Sequence, residues 1–560
     1  MQQRPNRVGR SSPIVAVLGI ACVGLIARCG GGGGGGGSMA GSGSGFTIDS
    51  GMPLTLGGDS SAAGNVTGSS GGGLGVNSSA GGDANSGAGV DGARGVSDVG
   101  SGGDTGADGA GGGTDATSGP DTGGAGDATV VTGNVTPAVT KNGESLLADA
   151  GITIVSFGGY LNGESFQQDG IVSFQGYQYA ALWNTSRHVV LGRRALPQGA
   201  WATIELTDYT NSANDAHNTI SLGICPTDGT LHLSFDHHVS NLHYRRSVSG
   251  LLTNPTTASW SPSSFSAVTD NLVGNAAVGR VTYPRFVTEP DGTKMLFEAR
   301  VGASGSGDEY LWEYDGNTHA WTSMGMYVNG TIDSVNAYPH GLSYTRGGTR
   351  LHMSWCWRET PDASTDHDLL YIYSDDNGRT WKNNAGATTA TTGSSYVVKN
   401  SPGINVWTIN QNRGLINNEH MAVDAVGRVH VLMSHMPDSQ ADDATFDSAR
   451  SKSEYFYYLR DTTGSWTRTA IGLASIALFR GKLAISSSND VYAILPDLRI
   501  AATSPASHFS NWVLLDSVDS GRFFSDPLID TARLESEDVL SVFYPQKSSS
   551  NIFVLDYRLR

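Results

Sequence analysis

A chain of 560 residues with 76 Gly, 16% charged residues and a formal net charge of −17 has room for several domains, but its composition is uneven. Four Arg and no acid fall in residues 1–29, ten Asp and one Arg in 30–127, and the remainder is still acidic. That balance argues against nucleic-acid binding on global charge, so a polyanionic partner would have to be met by a local cluster of Arg and His.

Residues 1–29 read as an export signal: Arg4, Arg7 and Arg10 give a basic start, and Pro13 to Ala27 is an apolar run short for a membrane span. It ends at Cys29 followed by GGGGGGGGS, as in a lipoprotein signal with an acylated cysteine and a leash, although Arg28 stands where a small residue is usual. Lipid anchoring through Cys29 and plain secretion both stay open, and either places the protein at the cell surface or outside the cell. Residues 30–127 are Gly, Ser, Ala, Thr and Asp with almost no large apolar side chain, the composition of a disordered low-complexity tether. Cys22 and Cys29 belong to the leader, and Cys225 and Cys356 lie too far apart in sequence to suggest a disulfide framework.

From about Val130 the texture changes to short runs rich in Val, Ile, Tyr, Phe and Trp, punctuated by Gly, Asp and Asn, as expected of many short antiparallel strands. A degenerate unit recurs, a DG or GG turn, a strand and a second strand with aromatics. It begins at Asp169, Asp228, Asp291, Gly347, Val426, Gly481 and Glu537. Seven units at this spacing predict an all-β, seven-bladed propeller over residues 145–560. SDDNGRTW, Ser374 to Trp381, fits the Asp-box hairpin S-x-D-x-G-x-T-W and marks a fold rather than a site. The strand-like GITIVSF at 151–157 is expected to complete the last blade and close the ring.

Histidines recur in short polar motifs: DAHN (His217), SFDHH (His237, His238), AYPHG (His340), STDHD (His367) and NNEHM (His420). One alone is more often a structural residue, but several together supply acid/base groups near neutral pH. With VTYPRF, LFEARVG and MSWCWRETPD, these motifs make residues 165–440 resemble the BNR-repeat proteins that include the ulvan lyases of polysaccharide lyase families twenty-four and twenty-five. The resemblance implies a polysaccharide lyase that cleaves an acidic, uronate-containing polymer by β-elimination, acting as a monomer. It also implies an active site of two histidines, a tyrosine and an arginine, here His217, His237, Tyr283 and Arg300.

Elimination removes the C5 proton of a uronate, which is weakly acidic while its carboxylate carries full charge. A bidentate, permanently charged Arg300 would hold that carboxylate. His217 is then the base and Tyr283 the acid at the departing O4, with His237 positioning substrate or acting as base; glucuronate and iduronate present the proton on opposite faces, so the two roles can exchange. His238, Arg245, Arg246, Arg285 and His420, with Arg193 and Arg194, are candidate contacts for sulfate or further uronates.

Related lyases carry a structural zinc, and His340, Cys356 and His367 are candidate ligands for Zn2+. A packed Cys356 between Trp355 and Trp357 is the plain alternative, and His217, His237 and His238 are a second metal set. No organic cofactor is implied. Two rival functions remain, a sialidase-like hydrolase suggested by the Asp box and a glycan-binding propeller without catalysis. No Arg-Ile-Pro motif supports the first, and the second has no use for an acid/base set.

Overall fold

The computed structural model describes residues 136–560, apart from 157, 158, 165–168, 444 and 477. The leader, the tether and Cys29 lie outside these residues. No described helix is long and apolar enough to cross a membrane.

Seven antiparallel sheets follow one another along the chain and form the blades of a propeller. Blade 1 spans residues 171–206, blade 2 220–246, blade 3 281–329, blade 4 336–407, blade 5 420–474, blade 6 482–516, and blade 7 528–559 with strand Val139–Ala148. Each of the seven units seen in the sequence falls in a different blade. The middle strands are buried along their length, as in Thr230–Phe235, Leu351–Arg358 and Val539–Pro545. A blade pressed between two others has no wet face, so these strands read as nearly unbroken apolar runs.

The core is divided the same way. Buried apolar side chains form seven clusters, one at each interface between neighbouring blades. Leu296, Leu311 and Tyr327 of blade 3 meet Met353, Trp355 and Trp381 of blade 4, for example, and Leu182 and Val190 of blade 1 meet Phe543 and Val554 of blade 7. The Asp box builds its hairpin as expected. Ser374 Oγ donates to Asp376 at 2.7 Å, Gly378 takes φ +77°, and Trp381 is fully buried with its ring stacked on Tyr327 at 4.9 Å.

Ring closure differs from the sequence expectation. The outer strand of blade 7 is Val139–Ala148, paired antiparallel with Ile552–Leu559, and Ala138 and Arg560 exchange backbone hydrogen bonds of 2.7 and 3.0 Å. The propeller therefore begins before residue 145. The 151–157 segment does not close the ring: Gly151 bridges to Asn184, and Val155–Ser156 pairs with Gly159–Tyr160. An outer strand meets solvent on one face, so Lys141, Asn142, Glu144 and Ser145 hid its strand character.

Candidate active site

Two departures from regular strand geometry build the site. In the loop before blade 2, Asp215 turns its carboxylate onto the backbone N–H of His217 at 2.9 Å, an Asx turn that fixes the histidine. At the end of blade 2, Asp236 (φ +64°) and Val239 (φ +58°) adopt left-handed backbone, which is unfavourable for a β-branched residue. The chain thereby leaves blade 2, and strand His238–Ser240 pairs with Val281–Thr288 at the inner edge of blade 3.

These turns bring His217 and His238 together. Their rings stack with centroids 4.0 Å apart and planes 21° apart, and each Nδ1 meets a separate Asp215 oxygen at 2.6 Å. Burial alone would raise the Asp215 carboxyl, but the hydrogen bonds and charges of the two imidazoles outweigh it and hold the group far below the usual carboxylate range. With a carboxylate on each Nδ1, Nε2 is the atom of each ring placed for proton transfer.

Behind the pair stands Tyr283, its ring 5.9 Å from that of His217. It occupies φ +60° immediately before Pro284, where the left-handed region is strained for any side chain other than glycine, and the ladder shifts register between Thr282 and Arg285. The ring stays buried, edge-on to Tyr338 with centroids 5.8 Å apart. Arg300 lies over the Tyr283 ring at 4.9 Å and donates to Thr282 Oγ1 at 3.1 Å and the Tyr338 hydroxyl at 3.3 Å. Arg358, held on Asp366 by hydrogen bonds of 2.8 and 3.0 Å, donates to the same hydroxyl at 3.2 Å. Arg358 and Arg480 also lie close enough for their charges to act on the Tyr283 phenol. The side chains of His217 and His238 are 11% and 16% exposed, whereas Tyr283 and Arg300 are enclosed, so the histidines are the open edge of the site.

Of the four expected catalytic residues, the structure gathers His217, Tyr283 and Arg300, and adds His238 where His237 was expected. His237 is buried, hydrogen-bonded to Ser234 Oγ at 3.0 Å and stacked on His243 at 5.4 Å, and burial pushes its pKa down to about 3. It is a neutral prop under the turn. Asp215, Tyr338 and Arg358 were missed. The D-x-H spacing signalled the first, and the echo of TYPRF in AYPHG, on the first strands of adjacent blades, signalled the second.

The expected substrate-binding arginines are engaged elsewhere. Arg245 is paired with Asp208 at 2.8 and 2.9 Å, Arg246 donates to the Tyr314 hydroxyl, Arg193 lies over Trp260 at 5.0 Å, and Arg194 holds Asp556 of blade 7. Arg285 is buried against Glu298 at 2.8 Å, and both it and His420 face the central channel.

The proposed zinc ligands do not fit a metal. His367 is held between Glu359 and Asp368 at 2.8 and 2.9 Å, His340 Nδ1 accepts from the Glu419 backbone at 3.1 Å, and burial pushes the Cys356 thiol well up, against the thiolate zinc needs. Among the described residues, the metal-capable side chains that do converge are Asp215, His217 and His238.

The chain is 26% identical over 262 residues to an ulvan lyase, long isoform, from Pseudoalteromonas sp. (strain PLSV), covering 39% of this chain and 26% of that protein. It thus spans about a quarter of that relative's length. The fold is similar to the crystal structure of polysaccharide lyase Uly1, with TM-score 0.58 and 17% identity over 75% of this chain and 99% of that one. A polysaccharide lyase family 25 ulvan lyase bound to -[GlcA(1-4)Rha3S]- gives TM-score 0.53 and 12% identity over 73% and 94%. Residues 177–473, more than half of the chain and reaching from blade 1 through blade 5, match the BNR repeat-containing family, to which this protein belongs.

Proposed function

We propose that the protein is a polysaccharide lyase that cleaves a uronate-containing, ulvan-like polymer by β-elimination. The observation that carries this reading is the stacked His217 and His238 pair on one Asp215 carboxylate, beside Tyr283 and the buried Arg300. One imidazole Nε2 takes the C5 proton, and Asp215 offsets the positive charge that then forms on the ring. The Tyr283 phenol, or the second imidazole, delivers a proton to O4 as the C4–O4 bond breaks and the C4–C5 double bond forms. Arg300 supplies a fixed positive charge against the negative charge gathering on the uronate carboxylate, and acts strongly because its surroundings exclude water.

Glucuronate and iduronate present the C5 proton on opposite faces, so the imidazole and the Tyr283 phenol can exchange the roles of base and acid between them. The likeness to an ulvan lyase bound to a glucuronate–rhamnose sulfate segment favours a polymer of that class.

The test is incubation of the purified protein with ulvan, other uronate polymers and sialosides, following ultraviolet absorbance of the unsaturated uronate. Elimination creates that chromophore and hydrolysis does not. New reducing ends without it would replace the lyase reading with a hydrolase.

A further inference from the structure

The first strands of the blades wall a central channel with a cavity of about 380 Å³. Four consecutive blades place a basic side chain on its wall: Arg285 from blade 3, His340 from blade 4, His420 from blade 5 and Lys482 from blade 6. Arg285, His340 and Lys482 are each at most 3% exposed. Arg285 is ion-paired with Glu298 at 2.8 Å, which offsets its charge, and its other amino group donates to the Pro339 carbonyl at 3.2 Å.

The geometry sets both histidine tautomers. His340 Nδ1 accepts the backbone N–H of Glu419 at 3.1 Å, and His420 Nδ1 accepts that of Leu483 at 3.0 Å. A backbone N–H can only donate, so both Nδ1 atoms are unprotonated and both Nε2 atoms carry hydrogen. His340 Nε2 is buried without a hydrogen-bond partner, a costly position for an N–H donor. Glu419 Oε1 accepts from the N–H and hydroxyl of Ser434 at 2.7 and 2.8 Å, and its buried Oε2 has no partner.

Burial holds the Glu419 carboxyl at about 7, so below that pH Oε2 carries a proton and joins the donors. The other acids facing the cavity, Asp169 and Glu535, are likewise raised by burial.

The geometry points to a binding site for one small inorganic anion in the central channel, held by His340 Nε2–H, His420 Nε2–H and Lys482, with the Arg285–Glu298 pair in the wall beside it. It would lock blades 3 to 6 around the axis.

The test uses the full chain in two arms. Crystals soaked in bromide should show one anomalous peak at hydrogen-bonding distance from His340 Nε2, and added sulfate should displace it if the site prefers an oxyanion. In solution, with a bulky organic counterion as background, bromide or sulfate should raise Tm to saturation, and Lys482→Met should weaken that response by about tenfold or more. A channel without a bromide peak, together with Tm rising without saturation, overturns the proposal. Should Lys482→Met fail to fold, the peak in the unaltered protein decides.

Discussion

Asp215 donates nothing and accepts from both His217 and His238, one carboxylate oxygen to each ring at 2.6 Å. Two imidazoles stacked at 4.0 Å cannot both be charged cheaply. Asp215→Asn leaves the shape and removes the charge that selects the Nδ1–H tautomers. Turnover should fall by roughly 10³-fold or more, in line with neutralising the carboxylate behind a catalytic histidine. Initial rates on a polymer the parent cleaves provide the check, with near-parental turnover counting against the pair.

Tyr283→Phe and His217→Ala should be nearly inactive while still retaining polymer in a pull-down, because each removes proton transfer and leaves most contacts. Arg300→Lys keeps a charge but loses the planar fork, and should lose about 3–4 kcal/mol of transition-state stabilisation. Correctly folded variants with normal kcat/KM would place the chemistry elsewhere.

Tyr338→Phe removes the hydroxyl that accepts from both Arg300 and Arg358. With two buried guanidinium donors left short of an acceptor, kcat/KM should drop about tenfold, or about 1–2 kcal/mol. Equal loss of folding stability and none of activity would make the hydroxyl a structural group only.

His237 gives a pH signature. Its folded pKa of about 3 lies below the ordinary 6.5, so stability from the neutral ring is complete above about 6.5 and is lost as pH falls toward the folded value. The cost of His237→Gln should therefore be largest at neutral pH and shrink by about 2 kcal/mol at pH ~5, since only the parent pays for keeping the ring neutral. Urea unfolding of parent and variant at both pH values measures it, and a pH-independent cost would refute the buried neutral assignment.

The seven blades were legible because strands buried on both faces leave apolar runs between DG and GG turns. Strand Val139–Ala148 was not, since half of it faces solvent. The choice between His237 and His238 was beyond strand alternation. Left-handed Asp236 and Val239 break the period of two on either side, so the turn decides which ring reaches Asp215. The misread arginines share a cause: sequence shows a charge but not the buried or facing carboxylate, such as Glu298, Asp208 or Asp556, that already holds it.

A truncation starting at residue 136 should keep the fold, whereas one starting at residue 150 removes the outer strand of blade 7 and should lower Tm by about 3–5 °C, the loss of a few kcal/mol. Thermal melts of the two decide whether Val139–Ala148 is a true closing strand.

That strand also sets a clock. Ser145 pairs with Val554, 409 residues away, so the first strand made has to wait for the last. At ordinary rates of synthesis the interval is roughly half a minute, during which blades 1 to 6 can form but the ring stays open. Any machinery that handles this chain unfolded has until the final strand emerges, and a ribosome that stalls before residue 552 releases an open arc with one blade-side core exposed at each end.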